Sequence, residues 1–399
     1  MKHQSRFERL DQLLAHHSRW WQLQTFHSRD FPWRDESLKQ SLWALSDEQV
    51  QALDQDPERL SHWLSEWIPA AQELQDLSAF ERLASREIDI PERVDYQVPG
   101  RKWQQICQFL QSKPKSQNQV LEWCSGKGHL GRVLAAVDGS EVTSLEWQAG
   151  LCEAGDALSQ RLDHLALKQH FHCVDAFSEQ AADYLTAQGE LVALHACGDL
   201  HTTAMKHWLQ KGGQQLAISP CCYHLIRGEN YQPLSSHAAG AKLVLSKADL
   251  SLPLQETVTA GATERRRRDH ELQWRLAFDE WQRDARGCDE YLPLPTLRKS
   301  QLQGSFLDFI VDQAISKKLP VPEKNSFNEA HWLSRGLARI RLVRRLELVT
   351  HLFRRPLEAW LILDRALFLE GQGAKVTVGE FCQRQLTPRN IMIIAERNV

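Results

Sequence analysis

Several things are scarce in this chain, and each scarcity closes a route. No stretch approaches the roughly 18 uninterrupted apolar residues that a membrane-crossing helix needs. The first residues, MKHQSRFERLDQLLAHH, are amphipathic and charged rather than a secretory leader. A protein that works in the cytoplasm with no membrane contact is the expectation. The nine cysteines include no C-x-x-C pair, which removes the zinc ribbon and the dithiol redox motif; they read as reduced thiols. Glycine-turn hairpins, internal repeats and low-complexity tracts are missing too. Nor is there an excess of positive charge: a net charge of −3 argues against a protein that coats nucleic acid indiscriminately.

What is present is enough for two or three packed units. The chain has 399 residues, 42% of them hydrophobic and 25% charged, as in ordinary soluble proteins. Charge is unevenly placed: residues 1–100 carry a net −7, and residues 263–356 a net +6. Residues 1–88 show apolar spacing of three and four, the mark of helices. Six of the 14 tryptophans fall there, at Trp20, Trp21, Trp33, Trp43, Trp63 and Trp67. They predict the core of a small helical domain, or else a surface for a protein partner. The proline-containing stretch 89–102 reads as a linker.

From Val120 the pattern changes to short apolar runs alternating with helical segments: VLEWC, EVTSLEW, KQHFHCVD, ELVALHA and QLAISP. Such alternation predicts βα units and a mostly parallel sheet, an α/β fold of Rossmann-like type. The core is expected over 103–262, a helical insertion over 263–356, and the last helix and two strands over 357–399.

The run Leu121 to Gly131, LEWCSGKGHLG, falls where the first strand turns into a helix. Glycines there let the backbone approach a ligand, and the helix offers free N–H groups. Glu122 places a carboxylate at the strand end, which would repel a phosphate and favour a cationic ligand. That points to S-adenosylmethionine over a dinucleotide, with Glu122, Cys124, Ser125, Gly126 and Gly128 as candidate cofactor-binding residues. Glu146 ends the second candidate strand, where an acid accepts from ribose hydroxyls. Asp175 ends the third, where an acid accepts from the adenine amino group.

The motifs EWCSGKGHLGR, LHACGDLHTTA, SPCCYH and LTPRNIMIIAER resemble a family of class I methyltransferases. It includes the methyltransferase regions of glutathione-S-transferase-C-terminal-domain-containing proteins, and the chain is similar to tRNA 2′-O-methyltransferases with a Cys-Cys-His-His signature. The resemblance covers about residues 100–260 and 355–399. It implies a seven-stranded sheet with S-adenosylmethionine at its carboxyl edge, Glu122 and Gly126 near the methionine moiety, Glu146 at the ribose and Asp175 at the adenine. Cys124 stands where many such enzymes have a first glycine, and CCYH replaces CCHH. Residues 1–88 and 263–356 have no counterpart in the resemblance.

Methyl transfer from a sulfonium asks mainly for alignment and, with a hydroxyl acceptor, for a base. The fourth and fifth strand ends offer His195, Cys197, Asp199, Cys221, Cys222, Tyr223 and His224. O-methylation with His195 or His224 as base, and Asp199 orienting a neighbour, is the first reading; His195 also borders the cofactor. A Cys221 or Cys222 thiolate adding to a pyrimidine to activate its carbon 5 is an alternative. Zinc held by Cys197, Cys221, Cys222 and His224 is set aside, because adjacent cysteines depart from C-x₂₋₄-C spacing. Asn/Asp-Pro-Pro-Tyr, which cradles exocyclic amines, is absent.

The basic region combines apolar residues at helical spacing with arginines. Arg265, Arg266, Arg267, Arg268, Arg339, Arg344 and Arg345 are the candidates for a wall that holds RNA, since the guanidinium fork donates twice to a phosphate. A solvated helix face is the plainer explanation. A protein or small-molecule acceptor, or a non-catalytic protein that keeps the cofactor fold, are the other function classes.

Overall fold

The computed structural model describes residues 2–116, 119–256 and 262–397. One seven-stranded sheet runs in the order β3-β2-β1-β4-β5-β7-β6. Its strands are β1 Val120–Glu122, β2 Val142–Glu146, β3 Gln169–Cys173, β4 Glu190–Cys197, β5 Gln215–Cys221, β6 Lys375–Glu380 and β7 Ile391–Glu396. The first five are parallel, while β7 lies antiparallel between β5 and β6. Strand order reverses between β1 and β4, so their carboxyl ends splay apart. That is where open α/β sheets bind ligands. This is the Rossmann-like α/β sheet that the alternating pattern predicts.

Burial explains the strand sequences. Every residue of β7 except its last is buried, and β5 is buried from Leu216 to Cys221. Strands covered on both faces read as continuous apolar runs, as LAISPC and IMIIA do. Beside the sheet, Ile106, Phe109 and Leu110 of the helix Gly100–Ser112 and Val133 and Leu134 of the helix His129–Asp138 join one buried cluster with Val120, Val142, Phe381 and Met392. The helix Arg354–Gly371 is buried nearly all round, although it carries charges. They are paired: Arg355 donates to Glu358 at 2.7 Å and to Glu380 at 2.6 Å, and Asp364 accepts the amides of Leu234 at 3.0 Å and Ser235 at 2.8 Å. Buried charges persist only with such partners.

The chain divides into two compact units, one of residues 1–16, 73–259 and 353–399, the other of residues 17–72 and 260–352. Residues 1–88 therefore do not stand alone as a domain. The first helix, Lys2–His16, belongs with the sheet: Phe7 stacks on Trp360 at 5.0 Å between centroids, and Asp11 accepts the amide of Lys242 at 2.9 Å. The helices between His17 and Gln72 share the second unit with the region expected as a separate insertion. There Trp20, Trp21 and Trp33 are buried as core, whereas Trp43 is 50% exposed. Among the described residues, no helix is long and apolar enough to cross a membrane.

Candidate functional site

The loop between β1 and the helix His129–Asp138 is shaped by two glycines with opposite duties. Both have left-handed backbones, Gly126 with φ +60° and Gly128 with φ +62°. A Cβ on Gly128 would lie 2.3 Å from Phe171, so this glycine serves packing within the fold. A Cβ on Gly126 would meet nothing within 4 Å. The open space at the loop is above Gly126.

Glu122 does not face that space. Its carboxylate is 3% exposed, accepts the Ser144 hydroxyl at 2.7 Å and accepts backbone amides of Leu130 and Gly131. Ser144 in turn accepts from Gln169 at 2.9 Å, so a polar ladder braces the loop from below. Burial pushes Glu122 up to about 7, against the pull of those hydrogen bonds and of Lys102. The expectation that it repels phosphate from outside is corrected: the side chain holds the loop, turned inward toward helix amides that favour a negative group.

Glu146, at the end of β2, accepts the Gly126 amide at 3.0 Å and the Gln148 amide at 3.0 Å, one on each oxygen. A carboxylate has about four lone-pair positions, so two remain for hydroxyl donors. Asp175, after β3, is exposed, and its Oδ1 accepts the Phe177 amide at 2.9 Å. The hydroxyl of Ser125 is buried and has no hydrogen-bond partner among the described residues. Cys124 adopts φ +56° beside it, with its thiol pushed up to about 12 by burial and by Glu146. Trp147, next to Glu146, is 69% exposed, a large flat surface that reading the acids alone passes over. An orphaned hydroxyl, an open glycine, acceptors for hydroxyls and an exposed indole fit the donor set of an adenosyl ligand with an amino-acid tail.

The ends of β4 and β5 are distorted. A register shift lies between Leu194 and Ala196, with His195 at φ +65°, and Cys222 follows β5 at φ +47°. Positions of this kind cost on the order of 1–3 kcal/mol each and gather at functional sites. His195 Nε2 lies 3.1 Å from Gln105 Oε1, whose amide nitrogen donates to the Leu386 carbonyl. That orientation makes Nε2 the donor and leaves the lone pair on Nδ1. Burial pushes His195 down to about 4, with Lys102 and Arg389 adding to the effect and Cys222 opposing it. The ring is neutral at neutral pH. Gln105, 90 residues away in sequence, carries no sequence signal for this role.

Cys197 and Cys221 lie opposite one another in the β4–β5 register, their sulfurs 3.5 Å apart, and the Cys222 sulfur completes a group within 4.8 Å. Thiols of Cys197 and Cys221 hydrogen-bonded to Cys222 draw its proton affinity down. His224 Nδ1 is buried without a partner among the described residues. Two expected members turn away. Tyr223 is 1% exposed, with its hydroxyl donating to Glu358 at 3.3 Å, so it is a core residue. Asp199 accepts the Arg227 amide at 2.8 Å, tying down the loop after β5 and not a histidine.

Arg389, in the TPRN segment before β7, was not among the candidates. Its Nε and Nη1 are buried and have no partner among the described residues, and its charge is felt at His195, Cys222 and Tyr223. The arginines that were candidates behave differently. Arg339 donates to Asp279, Glu280 and the Phe26 carbonyl, and Arg345 to Asp47 and the carbonyls of Leu42 and Leu45; both are buried. They are corrected from RNA contacts to structural ties. Arg344 pairs with Asp269 at 2.7 Å, Arg266 and Arg268 are exposed, and Arg267 is half-buried. The side chain of Arg265 lies outside the described residues.

Residues 101–229 match a family model described as a methyltransferase domain. A glutathione S-transferase C-terminal domain-containing protein of Xenopus laevis is 33% identical over 133 residues, which is 32% of this chain and 20% of that protein. Its Homo sapiens counterpart is 31% identical over 135 residues, 32% of this chain and 19% of that protein. The chain thus spans about a fifth of the length of these relatives. Among solved structures, the 23S rRNA methyltransferase ErmE is 13% identical with a TM-score of 0.24, over 64% of this chain and 98% of that one. The order and directions of the seven strands, with the matched segment running through β1 to β5, make the sheet-bearing unit a Rossmann-like methyltransferase fold.

Proposed function

We propose that this chain is an S-adenosylmethionine-dependent methyltransferase that acts on a hydroxyl of RNA. The observation that carries the reading is the pairing of a neutral imidazole with an unpartnered guanidinium at the carboxyl edge of the sheet. The cofactor, when bound, supplies an electrophilic methyl group. Glu146 and Asp175 accept from its hydroxyl and amino donors, Ser125 gains the partner it lacks, and Gly126 lets it come close. Gln105 fixes the His195 ring so that Nδ1 takes the proton of the acceptor hydroxyl. A ribose 2′-hydroxyl always lies beside a phosphate, and Arg389 supplies a planar fork of donors for one.

A cysteine route to carbon 5 of a pyrimidine is the second reading, favoured by the depressed proton affinity of Cys222. Tritiated S-adenosylmethionine and total RNA, with nucleoside analysis of the product, separate the two. Label in a 2′-O-methylated nucleoside supports the first. Label in a 5-methylpyrimidine, with covalent trapping by 5-fluoropyrimidine RNA, supports the second. Label that resists RNase and yields to protease rejects RNA as the acceptor. In Gly126→Arg, where the new side chain fills the open space, cofactor binding by calorimetry is expected to vanish. Retained binding there would remove the loop from the cofactor site.

A further inference from the structure

The three cysteines at the ends of β4 and β5 are brought together by backbone distortion, and no step above uses all of them. In an extended strand successive side chains point to opposite faces. Adjacent Cys221 and Cys222 would therefore point apart, and a regular β4 would place Ala196, not Cys197, opposite Cys221. Both separations are undone. The left-handed φ of +47° at Cys222 breaks the alternation, and the register shift at His195 brings Cys197 level with Cys221. The result is three sulfurs within 4.8 Å of one another, two of them 3.5 Å apart. A tetrahedral zinc with bonds of about 2.3 Å spaces its sulfurs by about 3.8 Å, which falls in that range.

We infer that Cys197, Cys221 and Cys222 form a thiolate zinc site at the carboxyl edge of the sheet, with His224, which lies outside the 4.8 Å group, turning in from the loop that follows as the fourth ligand. The ligand types select a soft-tolerant, tetrahedral ion over magnesium or calcium. His224 Nδ1 is buried with no hydrogen-bond partner among the described residues, so ligation would satisfy it. The loop concerned is already tied to β4: the Asp199 amide donates to the Leu225 carbonyl at 3.1 Å and the Asp199 carboxylate accepts from Arg227. Zinc would fix that loop as a positioning element beside the acceptor. It would also occupy the thiols and so close the route to carbon 5. The C-x₂₋₄-C spacing that excludes this site in sequence describes ligands on one loop. Here they come from two neighbouring strands.

The full chain, purified under reductant, is the material for the test. One equivalent of zinc by elemental analysis is expected, exchangeable for cobalt(II) with thiolate charge-transfer absorption. Cys197→Ser, Cys221→Ser and Cys222→Ser should each lower that absorption by one thiolate's share and the triple substitution should abolish it, while Cys173→Ser and Cys288→Ser leave it intact. His224→Ala should weaken binding and keep the charge-transfer bands; an unchanged affinity would overturn the fourth-ligand assignment. Should a serine variant fail to fold, alkylation of the unmodified chain decides: zinc should protect the three thiols and leave Cys173 reactive. Less than a tenth of an equivalent of bound metal, or absorption that survives all three substitutions, overturns the site. These readouts do not depend on methyl transfer, so failure of the proposed function leaves them interpretable.

Discussion

Arg339 and Arg389 are both arginines that residue type alone would assign to phosphate, and the fold treats them in opposite ways. Arg339, in the helix Glu329–His351, gives both terminal nitrogens to Asp279, Glu280 and a backbone carbonyl. Arg389 has Nε and Nη1 buried with no partner among the described residues. A buried charge whose terminal nitrogens are held by carboxylates and a carbonyl, as those of Arg339 are although its Nε also lacks a partner among the described residues, holds a structure together. One left without a partner is costly in the folded protein, and an anionic ligand would offset that cost. The location of spare hydrogen-bonding capacity, more than the density of arginine, marks a functional surface. That criterion selects Ser125, His224 and Arg389 in the glycine loop and around the ends of β4 and β5, and also Arg132, Ser140, His207 and Trp208 elsewhere in the sheet-bearing unit.

Breaking the engaged member should have the larger effect. Arg339→Met leaves Asp279 and Glu280 short of a partner, though Arg283, Arg29 and Arg335 still reach them. Removing one partner of a buried network costs about 3–5 kcal/mol. Denaturant unfolding should show that loss for the second unit, with cofactor affinity unchanged. A loss below about 1 kcal/mol would mean the network re-pairs, and the contrast with Arg389 would fail. Arg389→Met should do the reverse. Stability is held or improved, and KM for RNA rises by about 30-fold, the equivalent of a lost charge-assisted hydrogen bond of about 2 kcal/mol. Arg389→Lys should recover part of it, and the salt dependence of binding should flatten by about one phosphate, a slope change of about 0.7 for single strands.

Much of this was legible in the sequence because it is local. The βα alternation, the glycine turn and acids at three strand ends are patterns within a few residues of each other, and the sheet follows them. What was not legible depends on partners far along the chain. Gln105 fixes the His195 tautomer across 90 residues, and Asp11 secures the first helix against Lys242 across 231. Arg339 and Arg345 look like any other arginine on a helix until their acids are found. Tyr223 and Glu122 point inward, Tyr223 to Glu358 and Glu122 to Ser144 and the amides of Leu130 and Gly131, and those partners too lie away from them in sequence.

Glu122 gives the finest probe of the contrast, since it is a buried acid engaged only by neutral donors. Its carboxyl is pushed up to about 7 from the ordinary 4.5 by burial. The folded state therefore holds a proton that the unfolded state has released between those values. Stability from this group is fully present below the unfolded pKa and is lost as pH rises through about 7. His129 and His195, each pushed down to about 4 by burial, work with the opposite sign, so the raw profile of the protein mixes these contributions. Comparison with Glu122→Gln separates them. The amide still accepts from Ser144 and the helix amides but does not titrate. Between about pH 5 and about pH 8 the unmodified protein should lose on the order of 1–2 kcal/mol relative to the variant, read from paired denaturant midpoints. A constant difference across that range would place the ionised carboxylate comfortably at the helix N-terminus. The glycine loop proposed to hold the cofactor would then be braced by charge, and its affinity for a cationic ligand would have to be sought in Glu122 after all.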